Sequence, residues 1–306
     1  MRSKGINAFL PTDELDWLSR HGPIRVGYLD DYLPFCDADE KTGALTGALK
    51  DYLDMAADCV LNAHIDFEAV PFATVEAAMQ ALRDGEIDGV FPVNLGACDG
   101  EALGVSVTAD IMETEMYAAI RKTDHQDVLS AQETTVAVRD GDFNTEIFLK
   151  ASFPDWRVTP CKDAEDSCRA VSVGTAQCLL FSNYRMAQTE ALRERYRLTQ
   201  MPLGKTMSFS FAVRETDGAL YYILNKVAGL VPQSSVGSAL LSYSWQGRRF
   251  SLIGFLRENL MSLIVAILLV AALIFVLLLR RANRIKAQLE ERTKLQEALS
   301  TALKEA

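Results

Sequence analysis

Twenty consecutive residues, Leu260 to Leu279 (LMSLIVAILLVAALIFVLLL), carry no charge, no proline and no glycine. As a helix rising about 1.5 Å per residue the run is roughly 30 Å long, the thickness of a bilayer's hydrocarbon core. A buried core helix is the alternative, and the unbroken length of the run speaks against it. Such a span divides the chain unequally, with 259 mostly polar residues before it and 27 after. Arg280, Arg281, Arg284, Lys286, Arg292 and Lys294 follow it, whereas only Arg248, Arg249 and Arg257, with Glu258 among them, flank its other end. That basic excess puts the C-terminal tail in the cytoplasm and the large N-terminal region outside.

Charge partitions the same way. The tail from residue 280 holds 7 Lys/Arg against 4 Asp/Glu, and the rest of the chain 24 against 37, so the outer part is strongly acidic. An acidic outer domain argues against nucleic acid or anionic lipid as its partner, while a basic juxtamembrane stretch suits the inner leaflet. The opening MRSKGINAFLPTDELDW has no apolar stretch and so no signal peptide. The chain is therefore expected to be a piece of a longer one whose upstream part carries the export signal; the alternative is the opposite orientation. Six cysteines (36, 59, 98, 161, 168 and 178) match no zinc spacing. Cys161 and Cys168 flank a short acidic segment and are either a disulfide or two free buried thiols.

Short β-branched runs alternate with helical patterns over residues 22–246, the pattern of an α/β fold with mainly parallel strands. Strands are expected at Ile24–Leu29, Ile65–Val70 and Gly89–Leu95. A helix with apolar positions 45, 49, 52, 53, 56 and 60 is expected over Leu45–Val60. Another, N-capped by Thr74, should run to Asp84 and stop at Gly85. A second unit follows: strands at Thr134–Arg139, Arg157–Cys161, Cys178–Ser182 and Met207–Arg214, and helices at Asn144–Ser152, Asp163–Val171 and Gly218–Leu230. Crossing segments near Met112–Arg121 and Leu203–Met207 would join two lobes around a cleft.

The stretch DELDWLSRHGPIRVGYLDDYLPF resembles the opening of family-3 extracellular solute-binding domains, especially the Venus-flytrap sensor domains of bacterial membrane receptors. TGALKDYLDMAA, VEAAMQALRDGEIDGVFPV and FAVRETDGALYYILNKVAGLVP resemble the elements that follow in that family. The resemblance covers about residues 13–246 and implies a two-lobed, periplasmic-binding-protein-like (type II) fold. It sets out a lead-in linker (1–22), a flytrap domain (23–246), a juxtamembrane segment (247–259), the membrane span (260–279) and a cytoplasmic helix (280–306). Lobe 1 would comprise about 23–112 and 207–246, and lobe 2 about 121–203. The tail resembles the signalling helix that leads into histidine kinase or diguanylate cyclase modules.

By the same resemblance a ligand lies between the lobes. Tyr28, Asp30, Tyr32 and Phe35 follow the first strand, where aromatic side chains cover a ligand; for Tyr28 and Phe35 a core position is the alternative. Asn94, at the lip of the third strand, offers an amide to a ligand or caps the next loop. Phe143, Asn144 and Thr145 open a helix whose N–H groups suit an anion, although Asp142 opposes one and a plain capped loop is the alternative. The arginine that pairs with an amino-acid carboxylate in this family has no counterpart in Gly96–Glu101, which carries Asp99 and Glu101 instead. Ser182 and Asn183 stand where a carboxylate is expected to take the ligand's ammonium. The implied ligand is therefore polar and cationic or hydroxylated; a periplasmic protein partner, or no ligand, is the alternative. His21, His64 and His125 sit in separate segments, and nothing in the pattern calls for catalysis, a metal or a cofactor. In the tail, Ile285, Leu289, Leu295, Leu299 and Leu303 recur at spacings of 4, 6, 4 and 4, consistent with a short parallel coiled coil and hence a homodimer, or with a single solvated helix.

Overall fold

The computed structural model describes residues 8–39, 41–124 and 133–246, together with single helical positions at Phe275, Leu278 and Arg281. Met1–Arg248 and Arg249–Ala306 are two separate units. Apart from those three positions the apolar run and the tail lie outside the described residues, and among the described residues no helix is long and apolar enough to cross a membrane.

The expected lead-in linker contains a helix, α1 (Thr12–His21), with Asp13 and Glu14 in its first turn and Arg20 and His21 in its last, which suits the helix dipole. Leu15, Trp17 and Leu18 pack on the core, so the helix is docked rather than free. After β1 (Ile24–Leu29) the chain forms a two-stranded ribbon, β2 (Asp37–Ala38) with β3 (Leu45–Thr46), where the sequence pattern had suggested helix from residue 45. The helix α2 (Ala48–Ala57) starts only after Gly47. Gly47 has φ +98, and a Cβ there would lie 2.9 Å from Cys36 Cα, so the chain turns at this point instead of continuing a helix.

The strand expected at 65–70 runs two residues later as β4 (Phe67–Phe72); it includes Pro71, tolerated because β4 is a sheet edge. Helix α3 (Val75–Arg83) is N-capped by Thr74, whose hydroxyl accepts from Ala77 N–H at 3.2 Å. Next come β5 (Gly89–Val93), the short α4 (Ala97–Ala102) and β6 (Val105–Val107). The chain then crosses through β7 (Met112–Arg121) into β8 (Thr135–Arg139), α5 (Phe143–Ser152), β9 (Arg157–Cys161), α6 (Ala164–Val173), β10 (Cys178–Ser182) and α7 (Met186–Arg195). The return strand β11 is far longer than expected, Leu198–Arg214, and leads to α8 (Gly218–Leu230) and α9 (Gln233–Gln246).

The strand order is β4-β1-β5-β11-β7-β10-β8-β9, with β6 also on β11. β1 lies parallel between β4 and β5, and β8 parallel between β9 and β10, so each lobe has its own parallel core. β11 joins them. Leu198–Phe209 pairs antiparallel with β7, whereas Ser210–Arg214 pairs with β5 and β6. One continuous strand thus serves both lobes.

In the first lobe Tyr52, Phe91, Phe209 and Phe211 are fully buried and in ring contact, with Tyr52 and Phe211 centroids 6.0 Å apart. At the start of β5 the buried Asp88 carboxylate accepts Arg25 N–H at 2.8 Å and Arg25 Nε and Nη2 at 3.1 and 3.0 Å, and it also meets His21 and Arg214. That hub ties α1, β1 and β11 together. Cys161 and Cys168 are free and buried, which decides between the two readings of that pair.

Candidate functional site

Four strand ends meet between the lobes: β1 and β5 from the first, β8 and β10 from the second. Crevices at the carboxyl ends of parallel strands are where open α/β sheets bind ligands, because neighbouring loops diverge there and leave backbone groups unpaired. Here part of that crevice is filled by the chain itself. Asn144, the second residue of α5, is 1% exposed. Its Oδ1 accepts Asn94 N–H at 2.8 Å, and its Nδ2 donates to the Pro92 carbonyl at 3.0 Å. Asn94 Nδ2 also reaches the Asn144 carbonyl at 3.5 Å. One carboxamide from the second lobe thus engages both a donor and an acceptor at the end of β5 and bridges the lobes without a ligand. Asp142 sets its place by capping α5: Oδ1 accepts Thr145 N–H at 3.2 Å and Oδ2 the Thr145 hydroxyl at 2.9 Å.

Two cavities remain. The first, of about 120 Å³, is lined by Tyr32, Thr145, Ser182, Arg139, Arg185 and Asp142 on its polar side; Ala137, Leu179, Phe181, Leu192, Met207 and Phe209 are among its apolar wall. The second, about 200 Å³, runs between Asp30, Asp31 and Thr74 on one lobe and Arg139–Asn144 on the other. Arg139 and Asp142 line both. The Arg185 guanidinium lies 5.3 Å from the centre of the Tyr32 ring, a cation–π contact across the cleft. Burial pushes the Tyr32 phenol well above its ordinary pKa, with Asp142 adding to the shift and Arg185 opposing it, so the hydroxyl stays protonated. Tyr32 and Phe35 pack on Phe209, which the long β11 carries to the junction, and Tyr184 packs on Phe35; Phe35 and Phe209 centroids are 4.8 Å apart, and Phe35 and Tyr184 6.3 Å.

The structure brings together only part of the expected site. Tyr32, Thr145 and Ser182 line the first cavity; Asp30, Phe143 and Asn144 line the second. Asn94 is engaged by Asn144. Asn183 accepts from the Thr114 hydroxyl at 2.7 Å and so braces β7. Tyr28 is fully buried within β1 and lines neither cavity, the core alternative. Phe35 is 1% exposed and belongs to the aromatic cluster. Asp30 Oδ1 accepts the backbone N–H groups of Asp31 and Ala38, which shapes its loop. Asp99 is exposed on α4 and lines neither cavity. Arg139, Arg185, Met207 and Phe209 were not foreseen. Arg139 had a readable signal, a charge at the end of an apolar strand run (TTVAVR). Among the described residues no group of three or more His, Cys, Asp or Glu is placed to hold a metal.

No family model matches the sequence, and no curated protein matches it significantly. Solved structures do match in fold. The periplasmic VFT2 domain of Bordetella pertussis BvgS superposes with a TM-score of 0.60 at 18% identity, over 76% of this chain and 98% of that one. The amino acid ABC transporter substrate-binding protein AbpA from Streptococcus pneumoniae, bound to L-arginine, gives 0.55 at 13% identity, covering 76% and 98%. The GluR0 ligand-binding core in complex with L-glutamate gives 0.55 at 16%, covering 72% and 98%. Taken with the sheet order and the crossing strands, these likenesses show that residues up to Gln246 adopt the two-lobed periplasmic-binding-protein, or Venus-flytrap, fold.

Proposed function

We propose that this chain is the extracytoplasmic ligand-sensing and transmembrane signalling region of a bacterial receptor, anchored in the plasma membrane by residues 260–279. The observation that carries the reading is the order along the chain: a flytrap fold, a bilayer-length apolar run, a basic flank and a helix-forming tail. Ligand-dependent lobe movement shifts the membrane helix and, in a homodimer, the pairing of the tails; a coupling of about 1–3 kcal/mol suffices for a useful switch. The output module, a histidine kinase or diguanylate cyclase, acts beyond the tail. The ligand is a small polar molecule, the class to which the L-arginine bound to AbpA and the L-glutamate in the GluR0 complex belong. A membrane-tethered solute-binding protein of an uptake transporter has the same fold, but it has no use for a charged cytoplasmic helix. A second reading, a ligand-free flytrap scaffold, is favoured by one observation, the bridging of the β5 end by Asn144.

Thermal unfolding of the full chain in lipid nanodiscs tests the reading against a panel of amino acids, polyamines, sugars and organic acids. A ligand at a hundred times its Kd adds about 2.7 kcal/mol, which raises the midpoint of a domain this size by about 5–10 °C. A silent panel would move the scaffold reading ahead. Oxidative cross-linking of Leu299→Cys in the same nanodiscs tests the dimer, and absence of a cross-linked species would count against paired tails.

A further inference from the structure

We propose that the first cavity is a site for a small anion with an apolar body, a monocarboxylate of about four to six carbons, whose charge is held by Arg139 and Arg185 of the second lobe. The inference rests on the sensor reading above and names the class of ligand.

Size bounds the body. An apolar cavity of about 150 Å³ accepts benzene, with six heavy atoms. This one is about 120 Å³, enough for an alkyl body of about four or five atoms with the carboxylate beside the arginines. The apolar lining includes Ala137, Leu179 and Phe181 from the sheet and Leu192 from α7. α7 has no fully buried residue, so it lies over this space without filling it.

The polar part of the lining has the opposite chemistry. Arg139 stands at the end of β8, and among the described residues its guanidinium makes no ion pair or hydrogen bond. Arg185 donates from Nε to Gln188 Oε1 at 3.3 Å, which orients it, and its remaining N–H groups have no carboxylate partner among the described residues. Asp142 is the one carboxylate that lines this cavity, and both its oxygens are engaged by Thr145. Two forked cations against one capped acid leave the lining net positive, and a guanidinium fork is matched to a carboxylate. Ser182, also on the lining, is 6% exposed, and its Oγ is buried without a hydrogen-bond partner. Buried hydroxyls are almost always paired, so an unpaired one on a residue that lines a cavity marks a missing partner. The second cavity has the wrong charge for an anion, with Asp30, Asp31, Asp140 and Asp142 against Arg139 alone.

The test is titration of the full chain in nanodiscs at neutral pH with pentanoate, and with pentanamide as its neutral isostere, followed by thermal midpoint and calorimetry. Pentanoate is expected to bind and raise the midpoint, with pentanamide at least tenfold weaker. Arg139→Gln and Arg185→Gln should each weaken pentanoate by about tenfold to a hundredfold, and Arg185→Lys should weaken it less than Arg185→Gln. Equal binding of pentanamide, or pentanoate binding that neither glutamine variant alters, overturns the inference. If pentanoate is silent while a panel amino acid stabilises wild type and both variants alike, the anion inference fails and the sensor reading stands. If every compound is silent, both fail.

Discussion

Asn144→Ala removes the lobe-to-lobe bridge and little else. Two side-chain hydrogen bonds are lost, the 2.8 Å bond from Asn94 N–H and the 3.0 Å bond to the Pro92 carbonyl. The 3.5 Å contact uses the Asn144 backbone carbonyl and survives only while the lobes stay close. Intramolecular hydrogen bonds contribute about 0.5–1.5 kcal/mol each net, so the pair amounts to about 1–3 kcal/mol. Both bonds cross the cleft, so their loss falls on the open–closed equilibrium, which shifts by about 5- to 150-fold toward the open form. Hydrogen exchange of the full chain reads this directly, because the Asn94 amide is itself one of the bonded groups. Peptides spanning 90–98 and 142–149 should exchange faster by that factor, while those of β1 and β4 stay unchanged. Asn144→Asp sharpens the test: a carboxylate still accepts from Asn94 N–H but cannot donate to Pro92, and at neutral pH it repels that carbonyl. Its opening should at least equal that of alanine. If Asn144→Ala leaves exchange of 90–98 unaltered, the lobes are held by the aromatic contacts around Phe209, and the bridge is incidental.

Two further outcomes follow from buried groups elsewhere. Burial alone would raise the Asp88 carboxyl, but hydrogen bonds from Arg25, with His21 and Arg25 charge, outweigh it and hold the pKa below the usual carboxylate range. A depressed folded pKa means that stability is fully present above the unfolded value of about 3.9 and is lost as pH falls through the folded one. Asp88→Asn should therefore lose about 3–5 kcal/mol at neutral pH and flatten the acid limb of an unfolding curve, and an unchanged limb would refute the assignment. Burial pushes the Cys168 thiol up to about 11 and Cys178 up to about 12, and both lie in the second-lobe core, whereas Cys98 is exposed. Maleimide at neutral pH should label Cys98 first in the native chain, and rapid modification of Cys178 would show that the second lobe opens readily.

The elements that were legible in the sequence are those whose burial repeats along the chain. Ile24–Leu29, Cys178–Ser182 and Gly218–Leu230 form where the apolar pattern places them, and Thr74 caps its helix as its position implies. α7 has no such pattern because none of its residues is buried, and the ribbon before α2 is set by the contact of Gly47 with Cys36, a tertiary fact. The long β11 was legible only in its second half, since Gln200, Pro202 and Gly204–Thr206 face away from the core. In the cleft, strand ends were locatable, but pairing was not. Asn94 and Asn144 are 50 residues apart and meet only because two lobes fold toward each other. No arginine stands in Gly96–Glu101 after the third strand, and the cleft's arginines come instead from the second lobe. Asp99 carries a charge that a cation would favour, but it lies exposed on α4, a placement that charge alone does not reveal.

The bridge and the anion cavity act on the same equilibrium, which links their consequences. A site lined by Tyr32 of the first lobe and by Arg139 and Arg185 of the second is complete only when the lobes are closed. In wild type Asn144 already favours that state, so the binding-competent fraction is large and pentanoate should show close to its intrinsic affinity. In Asn144→Ala the competent fraction falls, and the apparent Kd rises by the inverse of that fraction. Saturating pentanoate should then restore slow exchange to 90–98 in the variant while changing wild type little. That asymmetry distinguishes a ligand that closes the lobes from one that merely occupies the second lobe. If pentanoate binds Asn144→Ala as tightly as wild type and leaves exchange fast, the cavity ignores lobe position, and an anion there has no means of driving the membrane helix.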